Sequence, residues 1–352
     1  MKEIYIHSAC SISIQKTTEE GYFFEEITEY AENGIPVINP DYKEFIPALQ
    51  LRRMGKSMRM AVYASQKAIA QAGNPTIDAV ITGTGEGCLR DSEKFVEALW
   101  ENEEGGMLNP TPFIQSTHNM AAATVALALG CKGYNMTYTN NSNSFESALL
   151  DGQLYLNEHP NQTILIGGLD EISEKTTDFW SKYGWLKKEG FQIPIDLKSN
   201  SDGEIVSEGA GFLVASVEKP KQYLGKISAV KTAFDVQNPA QFVQEFLKEN
   251  NLKIQDIDGV ILGNNGDSKY EEIYQTLSKT SFAETPQIVY KHILGEFDTV
   301  TSIAVEIGLK ILNRQEIPKN LRWNNINRSE YKTILLYNQR RGQNHSAIIL
   351  RK

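Results

Sequence analysis

The feature that most restricts what this chain can fold into is an internal echo. Asp78-Ala79-Val80-Ile81-Thr82-Gly83 returns, 180 residues later, as Asp258-Gly259-Val260-Ile261-Leu262-Gly263. Both runs are short and β-rich and enter a glycine-containing loop, so both read as strands leading into a turn. Each is followed by an apolar, small-residue helical stretch, residues 121–130 in the first case and 300–309 in the second. Helices apolar on most faces belong in an interior. Each half is then expected to end in a strand, at 163–168 and at 347–350, with the halves joined near Val217-Glu218-Lys219-Pro220. Alternating strands and helices predict an α/β protein whose sheets are covered by helices. A chance echo in an ordinary α/β chain is the alternative at this point.

The chain can support a large core, as one big unit or as two domains of ordinary size: it has 352 residues, 41% of them hydrophobic. Its charged residues, 22%, are spread evenly, which argues against disorder. No apolar run reaches the length of a bilayer span. The opening Met1-Lys2-Glu3-Ile4-Tyr5-Ile6 is too short an apolar run for a signal peptide and reads as a strand. Cys10, Cys88 and Cys131 are odd in number and far apart, with neither a disulfide framework nor metal-ligand spacing. That usage suits a reducing cytoplasm, and neither a metal nor a cofactor is expected. A net charge of −9 without a basic block argues against nucleic acid and offers an acidic carrier protein little general attraction. The glycine loop at 83–87 lacks the Gly-Lys-Ser/Thr ending of a phosphate loop.

Several segments together resemble the β-ketoacyl synthases of the thiolase superfamily. They are Ile81-Thr82-Gly83-Thr84-Gly85-Glu86-Gly87, the run 129–137 and Ile166-Gly167-Gly168-Leu169-Asp170-Glu171. The most specific is Asp202-Gly203-Glu204-Ile205-Val206-Ser207-Glu208-Gly209-Ala210-Gly211, followed by a β run. The resemblance covers nearly the whole chain. It implies a five-layered αβαβα thiolase-like fold made of two similar halves, 1–218 and 219–352, with buried helices beginning near Asn143 and near Thr299. It also implies a tight dimer, with the strand at 134–138 near its twofold axis, and an active site where the halves meet.

Condensing members of the family carry a cysteine at the start of a buried helix, where amides and the helix dipole favour a thiolate. The matching run, Thr139-Asn140-Asn141-Ser142-Asn143-Ser144-Phe145, puts Ser142 there. A serine hydroxyl needs a positioned general base to act as a nucleophile. Asn143 and Glu146 have capping-box spacing, and Ser142 and Ser144 are good N-cap types. Ser142 therefore reads either as a helix cap or as an acyl-accepting nucleophile. The family's first histidine position holds Asn265, which can donate a hydrogen bond but take no proton at neutral pH. The second is kept as His292, a catalytic group or a satisfied buried histidine. Gln287 replaces a lysine, and Glu296 and Phe297 replace small residues and would fill space near the pocket. His7, His118, His159 and His345 match no catalytic position. In place of the family's Phe/Gly-rich gate stands Asn338-Gln339-Arg340-Arg341-Gly342-Gln343, whose two arginines either pair with acids or are solvated.

The resemblance thus implies a ketosynthase-like protein of fatty-acid or polyketide (aryl-polyene-like) biosynthesis. The first reading is a non-condensing subunit of the chain-length-factor type, partnering a true ketosynthase in a heterodimer or forming a homodimer, with an acyl carrier protein as a further partner. The alternative is a serine-type acyltransferase or ketosynthase variant that acts on carrier-bound acyl thioesters through Ser142 and His292.

Overall fold

The two echoed runs occupy the same place in two copies of one topology. The computed structural model describes residues 2–102, 105–188, 192–198 and 201–352; Met1, counted above in the first strand, lies outside them. The first half runs β1 (Ile4–Ile12), α1 (Ala48–Leu51), α2 (Lys56–Gln71), β2 (Ala79–Gly83), α3 (Leu89–Glu101), α4 (Pro110–Gln115), α5 (Met120–Leu129), β3 (Asn135–Tyr138), α6 (Ser144–Glu158), β4 (Thr163–Asp170), α7 (Glu174–Tyr183) and β5 (Gly209–Ser216). The second runs β6 (Gly225–Ala233), α8 (Pro239–Glu249), β7 (Gly259–Leu262), α9 (Glu271–Thr276), β8 (Gln287–Val289), α10 (Lys291–Leu294), α11 (Thr301–Arg314), β9 (Thr333–Arg340) and β10 (Gln343–Arg351).

The strands lie in the order β3-β2-β4-β5-β1-β6-β10-β9-β7-β8. Read outward from the middle, each half places its first, fifth, fourth, second and third strands in turn. In each half the second strand is parallel to the third and fourth, and the fifth is antiparallel to the fourth and first. The two halves were expected to have separate sheets. Instead β1 and β6 join edge to edge over a short antiparallel ladder, Ile4↔Ile227 to Ile6↔Gly225. The echo also has a physical basis. The Asp78 carboxylate accepts from the amide of Thr163 at the head of β4. The Asp258 carboxylate does the same for Lys332 and Thr333 at the head of β9. Each aspartate satisfies amides that open a parallel strand, which would be costly to leave without partners.

Five layers follow. Residues of α2 and α5, such as Met60, Val62 and Val125, pack with Phe212 and Val214 on the outer face of the first sheet. On the outer face of the second, Phe242, Val243 and Phe246 of α8 pack with Val260, Leu262 and Leu335. α6 and α11 lie between the sheets, where Phe145 and Leu149 share a cluster with Ile303, Ile307, Ile166 and Ile348. α11 is buried without a break from Thr301 to Leu309, as its mostly apolar sequence predicts, with Glu306 the charged exception. It comes so close to β5 that a Cβ on Gly211 would sit 2.6 Å from Ser302 Oγ. α6 is equally tight on β2: a Cβ on Gly83 would meet the Ser144 carbonyl at 2.3 Å. Glycine is required at both contacts.

Two expectations need correction. The stretch 121–130 is not an interior helix: α5 buries Ala121, Ala122, Val125 and Ala126, while Leu127 is 81% exposed. Its alanines let it lie against α2, and its other face is open. The partner of α11 in the first half is α6, whose polar residues Glu146 and Gln153 are buried and hide it from an apolar pattern. Likewise the strand at 163–168 (β4) corresponds to β9, and 347–350 lies in β10, the counterpart of β5.

Candidate functional site

The heads of α6 and α11 meet where the two halves join. The loop into α6 turns at Asn141, with φ of 46°, and leaves Ser142 buried at 1% exposure. The turn is fixed by Ser144, whose Oγ donates to the Asn141 carbonyl at 2.6 Å and accepts from the Asn140 amide at 2.8 Å. Neither expected cap forms. Asn143 is the first residue outside the helix, but its side chain makes no capping bond. Ser142 Oγ and Asn143 Oδ1 have no hydrogen-bond partner. Glu146, which would have completed a capping box, turns inward instead. Its Oε1 accepts from Ser346 Oγ at 2.8 Å, Oε2 is unpartnered, and burial pushes its pKa up to about 7.

Asn265, at the first histidine position, is committed on both sides. Its Nδ2 donates to Glu296 Oε2 at 2.9 Å, and its Oδ1 accepts from the Asp267 amide. The same Glu296 oxygen takes Lys291 Nζ at 2.8 Å, in an ion pair with both side chains at 1% exposure or less. Burial raises the Glu296 pKa against the pull of Lys291. Glu296 and Phe297 do fill interior space, both being buried. Gln287 lies buried on β8 with its amide spent on Ser278 and Phe282.

His292 sits on α10 with its ring nitrogen Nε2 2.8 Å from the Asn320 carbonyl. A carbonyl only accepts, so Nε2 carries the proton and Nδ1 keeps a lone pair with no partner. Burial lowers the pKa to about 4, so the ring is neutral at pH 7. No hydrogen bond joins Ser142 to His292 or to Asn265. The remaining histidines are held locally or on the surface: His7 by Ser216, His345 by Tyr337, and His159 stacked on Tyr155.

The segment matching the gate is a tight hairpin. β9 and β10 turn through Arg341 and Gly342, both with positive φ, a two-residue turn of the kind that suits twisted strands. The arginines pair with acids. Arg340 reaches Asp298 at 2.6 Å and Glu204 at 3.1 Å; Arg341 reaches Glu204 at 2.8 Å and lies 3.8 Å over the Trp185 ring. Burial raises the Glu204 pKa, but the two arginines outweigh it and hold the carboxylate below its usual range. Beneath this cluster Asp170 bridges the halves. Its carboxylate accepts from Thr84 Oγ1, the Gly85 and Glu86 amides, and the amide and hydroxyl of Thr299, five donors in all. Burial and the Asp298 charge push its pKa up to about 7.

Glu204, Asp298, Asp170, Glu146 and Lys291 organise this junction; sequence reasoning gave a role only to Glu146, in a capping box that does not form. Glu204 and Asp170 lay inside the glycine signatures, which offered the only available signal. Glu146 and Lys291 stand in helices and Asp298 in the turn before α11, places where a charge ordinarily means solvent.

The architecture is that of thiolase-like proteins, with the head of a sandwiched helix at the junction of two similar halves. The N-terminal domain of β-ketoacyl synthases matches residues 36–219, just over half of the chain, and the chain belongs to that family. Among solved structures, the ishigamide ketosynthase/chain length factor is similar at a TM-score of 0.82 and 16% identity, covering 100% of this chain and 99% of that one. A β-ketoacyl synthase from Burkholderia phymatum gives 0.78 and 16%, with 100% of both chains covered. The ketosynthase–chain length factor complex from Xenorhabdus doucetiae gives 0.73 and 15%, covering 99% and 98%. No curated protein sequence matches the chain. Among the described residues no helix is long and apolar enough to cross a membrane.

Proposed function

We propose that this chain is a non-condensing subunit of the chain-length-factor type, acting beside a true ketosynthase in fatty-acid or polyketide synthesis. One observation carries the reading: the hydroxyl at the nucleophile position, Ser142 Oγ, has no base, because neither it nor the free Nδ1 of His292 has a hydrogen-bond partner and the two groups are not joined. Without a base a serine attacks a thioester poorly. Asn265 cannot shuttle a proton and is already spent on Glu296. The paired Arg340 and Arg341 further support a closed entrance.

Support for a partner comes from the edge of the first sheet. β3 is an edge strand whose Met136 is exposed, and α5, which packs against it, leaves Leu127 exposed. An open edge flanked by apolar side chains calls for a covering surface. Similar proteins carry such pairings in their own descriptions, one of them a ketosynthase in complex with its chain length factor.

The test is intact-protein mass spectrometry after incubation with acyl and malonyl carrier-protein thioesters, alone and with an intact Cys-His-His ketosynthase. The chain alone is expected to gain no acyl mass and to make no condensation product, and to form a complex with the ketosynthase. The second reading, a serine-type acyltransferase, is favoured by the free hydroxyl of Ser142 at the head of α6. An ester on Ser142 that turns over, and that Ser142→Ala abolishes, would establish it and sink the first.

A further inference from the structure

At the other end of α11 from the Asp170–Thr299 bridge, the two sheets part. β1 pairs with β6 only as far as Ile6, and its register against β5 shifts between Ile6 and Ser8. Where the strands separate lies a cavity of about 560 Å³, lined by β1, by the residues that lead into β6, by the segment 17–22 and by the later turns of α11. It shares no residue with the site at the head of α6.

Glu306 lines this cavity from α11 and is 3% exposed. Its Oε1 accepts from Lys310 Nζ at 2.7 Å, but no protein donor reaches Oε2. The same carboxylate lines a void too small for a ligand, where Ser11 Oγ is also unpartnered. A buried carboxylate oxygen without a donor is expensive, so the feature asks for a ligand that donates. The rest of the lining says what kind. Lys221, Lys310 and Arg314 are balanced by Glu19, Glu20 and Glu306, so the cleft as a whole selects no ion. The amides of Gln71 and Asn313 can both donate and accept, and Tyr22 and Tyr223 add aromatic side chains to the lining. An unpaired carboxylate oxygen, flanking amides and aromatic rings together suit adjacent hydroxyl groups.

We propose that this seam cleft binds a small polyhydroxylated ligand of the sugar or polyol class. Its hydroxyls donate to Glu306 Oε2 and exchange hydrogen bonds with Asn313 and Gln71 at the mouth. The site is independent of the function proposed above.

The full chain is to be titrated with ribose, glucose and myo-inositol, with binding followed by saturation-transfer NMR. Saturable binding of at least one is expected. Glu306→Gln replaces an acceptor oxygen by a donor and is expected to weaken that binding about tenfold or more. Because that change also touches Lys310, Asn313→Ala at the exposed mouth is measured in parallel, with thermal unfolding as the control. Weaker binding in either variant at an unchanged unfolding temperature supports the site. Absence of saturable binding for all three probes, or binding that both variants leave intact, overturns it.

Discussion

Two regions at the junction between the halves treat buried polar groups in opposite ways. Around the β9–β10 turn, each buried charge faces an opposite one: Arg340 and Arg341 hold Glu204, and Arg340 also holds Asp298. Around the head of α6, Ser142 Oγ, Asn143 Oδ1, Glu146 Oε2 and Thr301 Oγ1 have no partner. An unpartnered buried group carries its full desolvation cost, whereas in a buried pair attraction offsets much of that cost and removal of one partner leaves the other uncompensated. The turn therefore secures the junction, and the head of α6 is tolerated by it. The contrast is one of charges: around the turn each is paired, although Arg341 Nε is left without a partner, whereas around the head of α6 neutral and acidic groups alike are under-used.

The largest expected effect tests the fastened side. Glu204→Ala leaves two guanidinium groups with only Asp298 between them, and is expected to cost about 3–5 kcal/mol in urea unfolding. A loss below about 1 kcal/mol would mean that the cluster is hydrated and fastens nothing.

Next in size come two opposed pH dependences on the other side. His292 has a folded pKa of about 4 against 6.5 in an unfolded chain, so its contribution is complete above 6.5 and is lost as pH falls through 4. Glu146 has a folded pKa of about 7 against 4.5, so its contribution is complete below 4.5 and is lost as pH rises through 7. Between about pH 4.5 and 6.5 they act against each other, each with a limiting slope of about 1.4 kcal/mol per pH unit. His292→Asn should make stability rise less steeply with pH in that window, and Glu146→Gln should make it rise more steeply. Parallel curves for the two variants and the parent chain would contradict both assignments.

The smallest effect sharpens the contrast most. Ser142→Ala removes a hydroxyl that bonds to nothing, so the unfolding midpoint should stay within about 1 kcal/mol of the parent or rise. A clear loss of stability would mean that the hydroxyl has a structural partner after all.

Much of this architecture is legible in the residues, and the exceptions have physical reasons. The echo at Asp78 and Asp258 is readable because both aspartates perform the same local task, satisfying amides at the head of the neighbouring strand. α11 is readable because it is apolar on most faces, with Glu306 and Lys310 as exceptions. The buried helix expected near Asn143 is α6, but it is placed by the family resemblance and not by pattern, because side chains such as Glu146, whose burial depends on Ser346, 200 residues away, interrupt its apolar face. The opposite error arose at α5, where alanines give an apolar pattern on a helix that is half open. At the site, the loop carrying Ser142 could be placed from the match of residues 139–145 to the family's nucleophile run. The bonding of His292 could not, since Asn320 belongs to a segment with no pattern of its own.

The position of β1 has a consequence for how the chain is made. Ser11 pairs with Gly211, and Ile4 with Ile227, so this strand leaves the ribosome some two hundred residues before either neighbour exists. Its residues Ser8 to Ile12 are all buried in the finished protein, so they are without cover while the intervening chain is synthesised. Contacts so distant in sequence form slowly and leave an adhesive edge open in the meantime. The seam that unites the halves is therefore closed late, and nascent chains that end before β5 are those for which a chaperone matters most.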